Sequence, residues 1–153
     1  MSVQEVPARV TARVVPVNAA GECLLLLGTD PLDECPPYWF TVGGGVEPGE
    51  SLYDAAVREA DEEIGLGLDA RDLIGPFHVG RHLGRTRPVE SHFFAVRRDE
   101  VAVSFAGHQP DEDGFIVDWG WLTPDALAAD ARLTNPALPA ILGQAVHAAG
   151  RTR

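Results

Sequence analysis

The segment "GGVEPGESLYDAAVREADEEIGL", residues 44–66, decides how the rest of the chain is read. Its second half carries helix signals. Ser51 is a good N-cap, apolar residues recur at Tyr53, Val57, Ala60 and Ile64, and Gly65 suits the left-handed position that ends a helix. The spacing therefore predicts a helix over residues 51–64, with that apolar stripe docked on a sheet. Beside the stripe runs "READEE", Arg58 to Glu63. Glu59 and Glu63 are four residues apart on one face, Glu62 lies next to them, and Arg58 is placed to pair with Glu62. The carboxylate ridge is expected adjacent to the buried stripe and not on it.

Acidic side chains in a last turn oppose the helix dipole by about 0.3–1 kcal/mol each. A like-charge pair at i, i+4 costs roughly 0.2–0.5 kcal/mol more. The sum, about 1–2.5 kcal/mol, is a real fraction of a total stability of about 5–15 kcal/mol. A solvated acidic face is the ordinary meaning of a charge run, but its placement at the wrong end of a helix points to a bound cation. Clustered carboxylates suit Mg²⁺, a hard ion that keeps much of its water. Upstream, Gly43, Gly44 and Gly45 can let backbone approach a ligand closely and offer amides and carbonyls to it. A triple glycine alone is more often a turn that stops the preceding strand. Followed at fixed distance by Glu50 and the acidic run, it becomes specific.

Those residues together resemble the Nudix box: a glycine, five residues, a glutamate, seven residues, Arg-Glu, an apolar residue, any residue, Glu-Glu, any residue, glycine, an apolar residue. Gly44, Glu50, Arg58, Glu59, Ala60, Glu62, Glu63, Gly65 and Leu66 fill every signature position. "WFTVGGG" resembles the W-x-x-P-G-G-G approach of the family, with Val42 in place of the proline, and "WGWLTPDAL" resembles its late aromatic strand. The resemblance implies an α/β fold, a Nudix-type α/β/α sandwich with a mixed β-sheet. It implies Glu59, Glu62 and Glu63 as ligands of Mg²⁺ or Mn²⁺, joined by the Gly44 carbonyl, with Glu50 and Arg58 as an orienting pair. It also raises a homodimer as the assembly.

The remainder of the chain agrees. Its 153 residues, 45% hydrophobic, suit one domain over residues 1–153. The net charge of −11 argues against a broad basic surface for long nucleic acid, and leaves room for a nucleotide whose charge is met by metal. All twelve basic residues are arginine, a pattern that base composition accounts for at most positions, with phosphate recognition as the competing reading. No apolar run is long enough to cross a membrane, the N-terminus lacks a signal-peptide pattern, and Cys23 and Cys35 have no metal spacing, so a reduced cytoplasmic protein is expected. Strands are predicted over residues 10–17, 22–27, 38–42, 73–83, 89–97 and 115–122. Helices are predicted from Thr123 as N-cap and from Asn135 as cap.

The family's members typically hydrolyse a nucleoside diphosphate linked to another moiety. A divalent ion offsets the charge of the pyrophosphate, and a carboxylate takes the proton of the attacking water. Glu62 and Glu63 are candidates for that base. Glu112, in the acidic loop "PDEDG", is the choice by position, since such families often use a late-loop glutamate; a solvated turn is the competing reading. Arg81, Arg85 and Arg87 flank a strand turn and are candidates for a phosphate or sugar acid, or simply an exposed hairpin tip. Trp39, like Phe40, Trp119 and Trp121, is a candidate for stacking on a base or for the core. Two other readings stay open: a non-catalytic ligand-sensing module, and a hydrolase or isomerase of a non-nucleotide diphosphate.

Overall fold

The computed structural model describes residues 6–29, 36–84, 86–107 and 115–151. It begins with the expected hairpin. β1 (Arg9–Val17) and β2 (Cys23–Thr29) are antiparallel, joined at Val17 and Cys23. Asn18 closes the turn by accepting the amides of Ala20 and Glu22 on its side chain. From that corner the two strands diverge. β2 pairs on one side with β3 (Tyr38–Phe40) and on the other with β7 (Phe115–Leu122). β1 pairs with β4 (Val42–Gly45) and, in parallel, with β6 (Pro88–Arg97), which carries β5 (Ile74–Leu83) antiparallel on its outer edge.

The seven strands form one mixed sheet between helices, the α/β/α sandwich. Alternation along the strands sorts the core into two layers. Ala12, Val14, Leu24, Leu26, Phe94 and Val96 face α1 (Leu52–Ile64). Val15, Val17, Leu25, Leu27, Phe93 and Ala95 face α2 (Pro124–Ala128) and α3 (Leu138–Arg151). Ser51 caps α1 by accepting the Asp54 amide, Gly65 ends it at φ 69°, and Thr123 caps α2. Among the described residues, no helix is long and apolar enough to cross a membrane.

Three expectations are corrected. The triple glycine does not stop a strand: Gly43, Gly44 and Gly45 are β4, in register with Arg13, Ala12 and Thr11. The absence of side chains there lets α1 lie close against the strand. The buried side of α1 is also rotated from the expected stripe. Tyr53 is 40% exposed, whereas Glu59 and Glu63 are 6% and 3% exposed, so two carboxylates stand on the buried face itself. Finally, α3 begins at Leu138; Asn135 instead forms the turn before it, accepting the Ala137 amide at 3.0 Å.

Candidate functional site

The loop from β4 to α1 is a tight turn. Glu50 donates its amide to the Glu47 carbonyl and accepts the Glu47 amide on its side chain, while Gly49 takes φ 80°, which a side chain would strain. This turn presents the Glu50 carboxylate to Arg58, in the second turn of the helix. Arg58 grips it with two parallel bonds, Nε to Oε2 and Nη2 to Oε1, both 2.8 Å. The same guanidinium donates to the Gly45 carbonyl at 2.9 Å, to Glu59 at 2.9 Å and to Glu62 at 3.1 Å. A planar five-donor group is well suited to collecting this many oxygens. The Arg58 bond holds the Glu50 carboxyl below its usual range, and Glu50 in turn raises Arg58 further above its own. Both shifts describe one charge-assisted pair.

Above the helix, the glycines meet the two buried glutamates. The Gly43 amide donates to Glu63 Oε2 at 2.9 Å. At Gly44, a Cβ would stand 2.6 Å from the carboxyl carbon and from both oxygens of Glu59. That carboxylate therefore fills the space a side chain would take. Glu62, with 45% of its side chain exposed, lies at the open edge and makes its bond only through Oε2 among the described residues.

The donors here are carboxylates and a backbone carbonyl, all hard oxygens, which fit Mg²⁺ or Mn²⁺ and not a soft metal. Among the described residues, no three His, Cys, Asp or Glu side chains form a ready cage. Arg58 draws Glu59 and Glu62 toward itself. This matches the way Mg²⁺ is usually held, by one or two carboxylates, waters and substrate phosphates, and not by a dedicated protein cage. The residues fit the ion on those terms.

The structure thus brings Gly44, Glu50, Arg58, Glu59, Glu62 and Glu63 together. Other candidates lie elsewhere. Arg81 pairs with Glu90 at 2.6 Å on the β5–β6 ladder, and Glu90 also contacts His92 Nε2 at 2.9 Å. Arg87 is exposed at the hairpin tip. Arg85 and Glu112 lie outside the described residues. Trp39 is turned away from the box. It is buried in the layer under α3, with the Arg132 guanidinium 5.0 Å above its ring, whereas Phe40, Trp119 and Trp121 pack on the α1 side. Odd and even positions of β3 point to opposite faces, so Phe40 and Trp39 cannot share a role there. One residue escaped the sequence reading. Arg13 donates through Nη1 to the carbonyls of Thr41 and Gly43, at 3.3 and 3.0 Å. Its signal was an arginine in mid-strand, followed by a run that is apolar on both faces, Val14 to Val17.

The family model described as NUDIX domain matches residues 7–141. An RNA pyrophosphohydrolase from Erythrobacter litoralis is 34% identical over 103 residues, covering 58% of this chain and 61% of that protein. A Nudix hydrolase from Streptomyces coelicolor is 37% identical over 109 residues, covering 63% of this chain and 57% of its own length. The chain thus spans less than two thirds of these two relatives. Among solved structures, a MutT protein from Methanosarcina mazei superposes with a TM-score of 0.69 over 99% of this chain and 100% of that one, at 19% identity, a likeness of fold.

Proposed function

The chain belongs to the NUDIX family, and from that premise we propose that it is a divalent-metal-dependent pyrophosphohydrolase. The substrate class is a nucleoside diphosphate linked to another moiety, cleaved by water attack on phosphorus. The observation that carries this reading is the pair of nearly buried carboxylates, Glu59 and Glu63, held directly beneath Gly44 and Gly43. Burying two carboxylates costs desolvation even where each is bonded, and the pair is suited to a cation shared with phosphate oxygens. The relative named RNA pyrophosphohydrolase supports a phosphoanhydride on a nucleotide as the target.

Glu59, Glu63 and the Gly44 carbonyl would hold the Mg²⁺ or Mn²⁺, with Glu62 completing the set from the exposed edge. When bound, the ion supplies charge neutralisation of the pyrophosphate and a more acidic water. The chain's own residues do the rest. Arg58 keeps Glu59 and Glu62 pointed at one edge, and Glu50 keeps Arg58 from swinging toward substrate phosphate. The Gly43 amide fixes one oxygen of Glu63. Among Glu59, Glu62 and Glu63, Glu62 is the exposed one, with 45% of its side chain open to solvent, so it is suited to take the water proton; Glu112 is retained as the loop alternative. The products are a nucleoside monophosphate and a phosphorylated remainder. The reduced cytoplasmic setting and the homodimer belong to this proposal as well, the latter checked by sedimentation.

The test is a screen of nucleoside triphosphates, ADP-ribose, sugar nucleotides, dinucleoside polyphosphates, 5′-triphosphorylated RNA and isoprenoid diphosphates, in Mg²⁺ and in Mn²⁺, with products identified. Metal-dependent release of a nucleoside monophosphate that Glu63→Gln abolishes is the expected result. Nucleotide binding without turnover in saturating metal would overturn the reading in favour of a sensor.

A further inference from the structure

The backbone that carries the site has a feature of its own. The W-x-x-P-G-G-G approach that this segment resembles has a proline before the glycines, whose fixed φ stiffens the strand; this chain has Val42 there. Arg13, in β1, reaches across to the same spot. Its Nη1 donates to the Thr41 carbonyl and to the Gly43 carbonyl, the two that bracket Val42. Its Nε donates to Thr11 Oγ1 at 3.3 Å, and the Thr11 hydroxyl donates to Ser91 Oγ at 2.8 Å in the interior. The arginine is thus anchored through β1 to β6, and its aim is set by buried groups, Thr11 and Ser91.

Gly43 is the residue that needs holding. It sits at φ 141°, and a side chain there would run into the Ala12 carbonyl and the Arg13 backbone. Its amide meets Glu63 on the α1 side while its carbonyl meets Arg13. The next residue is Gly44, against which Glu59 is seated. A rotation of either peptide would displace both glutamates' contacts.

We propose that Arg13 is a positioning residue, a side-chain clamp on the carbonyls either side of Val42 that supplies the rigidity a proline would otherwise give, and so fixes Gly43 and Gly44 over Glu63 and Glu59. Its consequence for metal binding rests on the pyrophosphohydrolase reading; the clamp itself does not. Arginine is required because one guanidinium nitrogen serves both carbonyls while Nε holds Thr11. Lysine, with a single compact head, would keep part of the contact.

The experiment compares wild type, Arg13→Met, Arg13→Lys and Arg13→Met/Val42→Pro by amide hydrogen exchange and by Mn²⁺ binding. In Arg13→Met the Gly43 amide is expected to exchange about tenfold faster or more, the scale of losing a charge-assisted hydrogen bond. Amides of Phe94 and Ala60 should stay protected, which separates the clamp from general loosening. Arg13→Lys should fall between. Mn²⁺ binding should weaken by about 10- to 100-fold, as when a group that orients a metal ligand is removed. Restoration of Gly43 protection by Val42→Pro supports the clamp, and failure to restore it overturns the equivalence with proline. Unchanged Gly43 exchange in Arg13→Met overturns the proposal. A wild type that neither binds Mn²⁺ nor turns over any diphosphate would instead overturn the pyrophosphohydrolase reading, and the exchange comparison would still decide the clamp.

Discussion

Adding one methyl group at Gly44 should disable the site while leaving the fold in place. Gly44 has no positive φ, so alanine brings no backbone strain; the whole effect is the Cβ itself. That carbon would stand 2.6 Å from the carboxyl carbon and both oxygens of Glu59, where ordinary contact begins near 3.4 Å, a deficit of 0.8 Å. Glu59 is 6% exposed and tied to Arg58 at 2.9 Å, so it can yield only by breaking that bond and sliding toward solvent. Overpacking of this kind costs roughly 1–3 kcal/mol. At about 2–4 °C per kcal/mol for a domain of this size, Tm should drop by roughly 2–12 °C, leaving the protein folded at assay temperature. A displacement near 1 Å in a catalytic constellation costs on the order of 10²-fold in rate. The assay is kcat on the best substrate of the screen at saturating Mg²⁺, with thermal unfolding run in parallel. Gly143→Ala, where nothing lies within 4 Å of the new carbon, is the control and should keep full activity. A Gly44→Ala enzyme within twofold of wild type (roughly, the limit of such an assay) would show that Glu59 does not work from the position the structure gives it.

The Glu50–Arg58 pair predicts an acid limb of stability. The folded Glu50 carboxyl titrates below its ordinary value of 4.5, because Arg58 bonds its charged form. Below 4.5 the unfolded chain therefore binds the proton first, and the pair's contribution, complete above that pH, is lost as pH falls through the folded value. Denaturant titrations between about pH 3 and 7 should show this limb, flattened in Glu50→Gln. Within the acidic run, Asp61 is exposed, so Asp61→Asn should leave turnover near wild type, whereas Glu62→Gln and Glu63→Gln should each depress kcat by about tenfold or more. Equal effects at all three positions would point to bulk charge in place of specific roles. Cys23 is fully buried, and burial pushes its thiol up to about 12. In a Cys35→Ser background a thiol reagent at pH 8 should label it only after denaturant is added; rapid native labelling would contradict its place beneath α3.

The box was legible because its parts obey short-range rules. Ser51 and Gly65 bound the helix by capping, Arg58 reaches Glu62 one turn on, and Glu50 meets Arg58 across a turn that Gly49 permits. The β1–β2 hairpin and the Thr123 cap were legible for the same reason. The errors arose where the answer depended on a distant partner. Helical periodicity favours Tyr53 on the core face and puts the glutamates beside it; the sheet reverses this by offering the glycines of β4 to Glu59 and Glu63. A tryptophan before a glycine-rich segment reads equally well as a stacking platform or as core. Only the pleat of β3 turns Trp39 toward Arg132 and leaves Phe40 on the box side.

The sequence by itself determined the family, the order of the helices and of every strand but β4, and the pairing of Arg58 with Glu50 and Glu62, since those depend on short spacings along the chain. Tertiary structure alone decided that Gly43 and Gly44 form a strand over Glu63 and Glu59, and that Arg13 holds that strand from 28 and 30 residues away. The physical reason is register. Hydrogen bonding between β1 and β4 sets which side chains and carbonyls meet across the sheet, and no pattern local to either strand specifies that alignment.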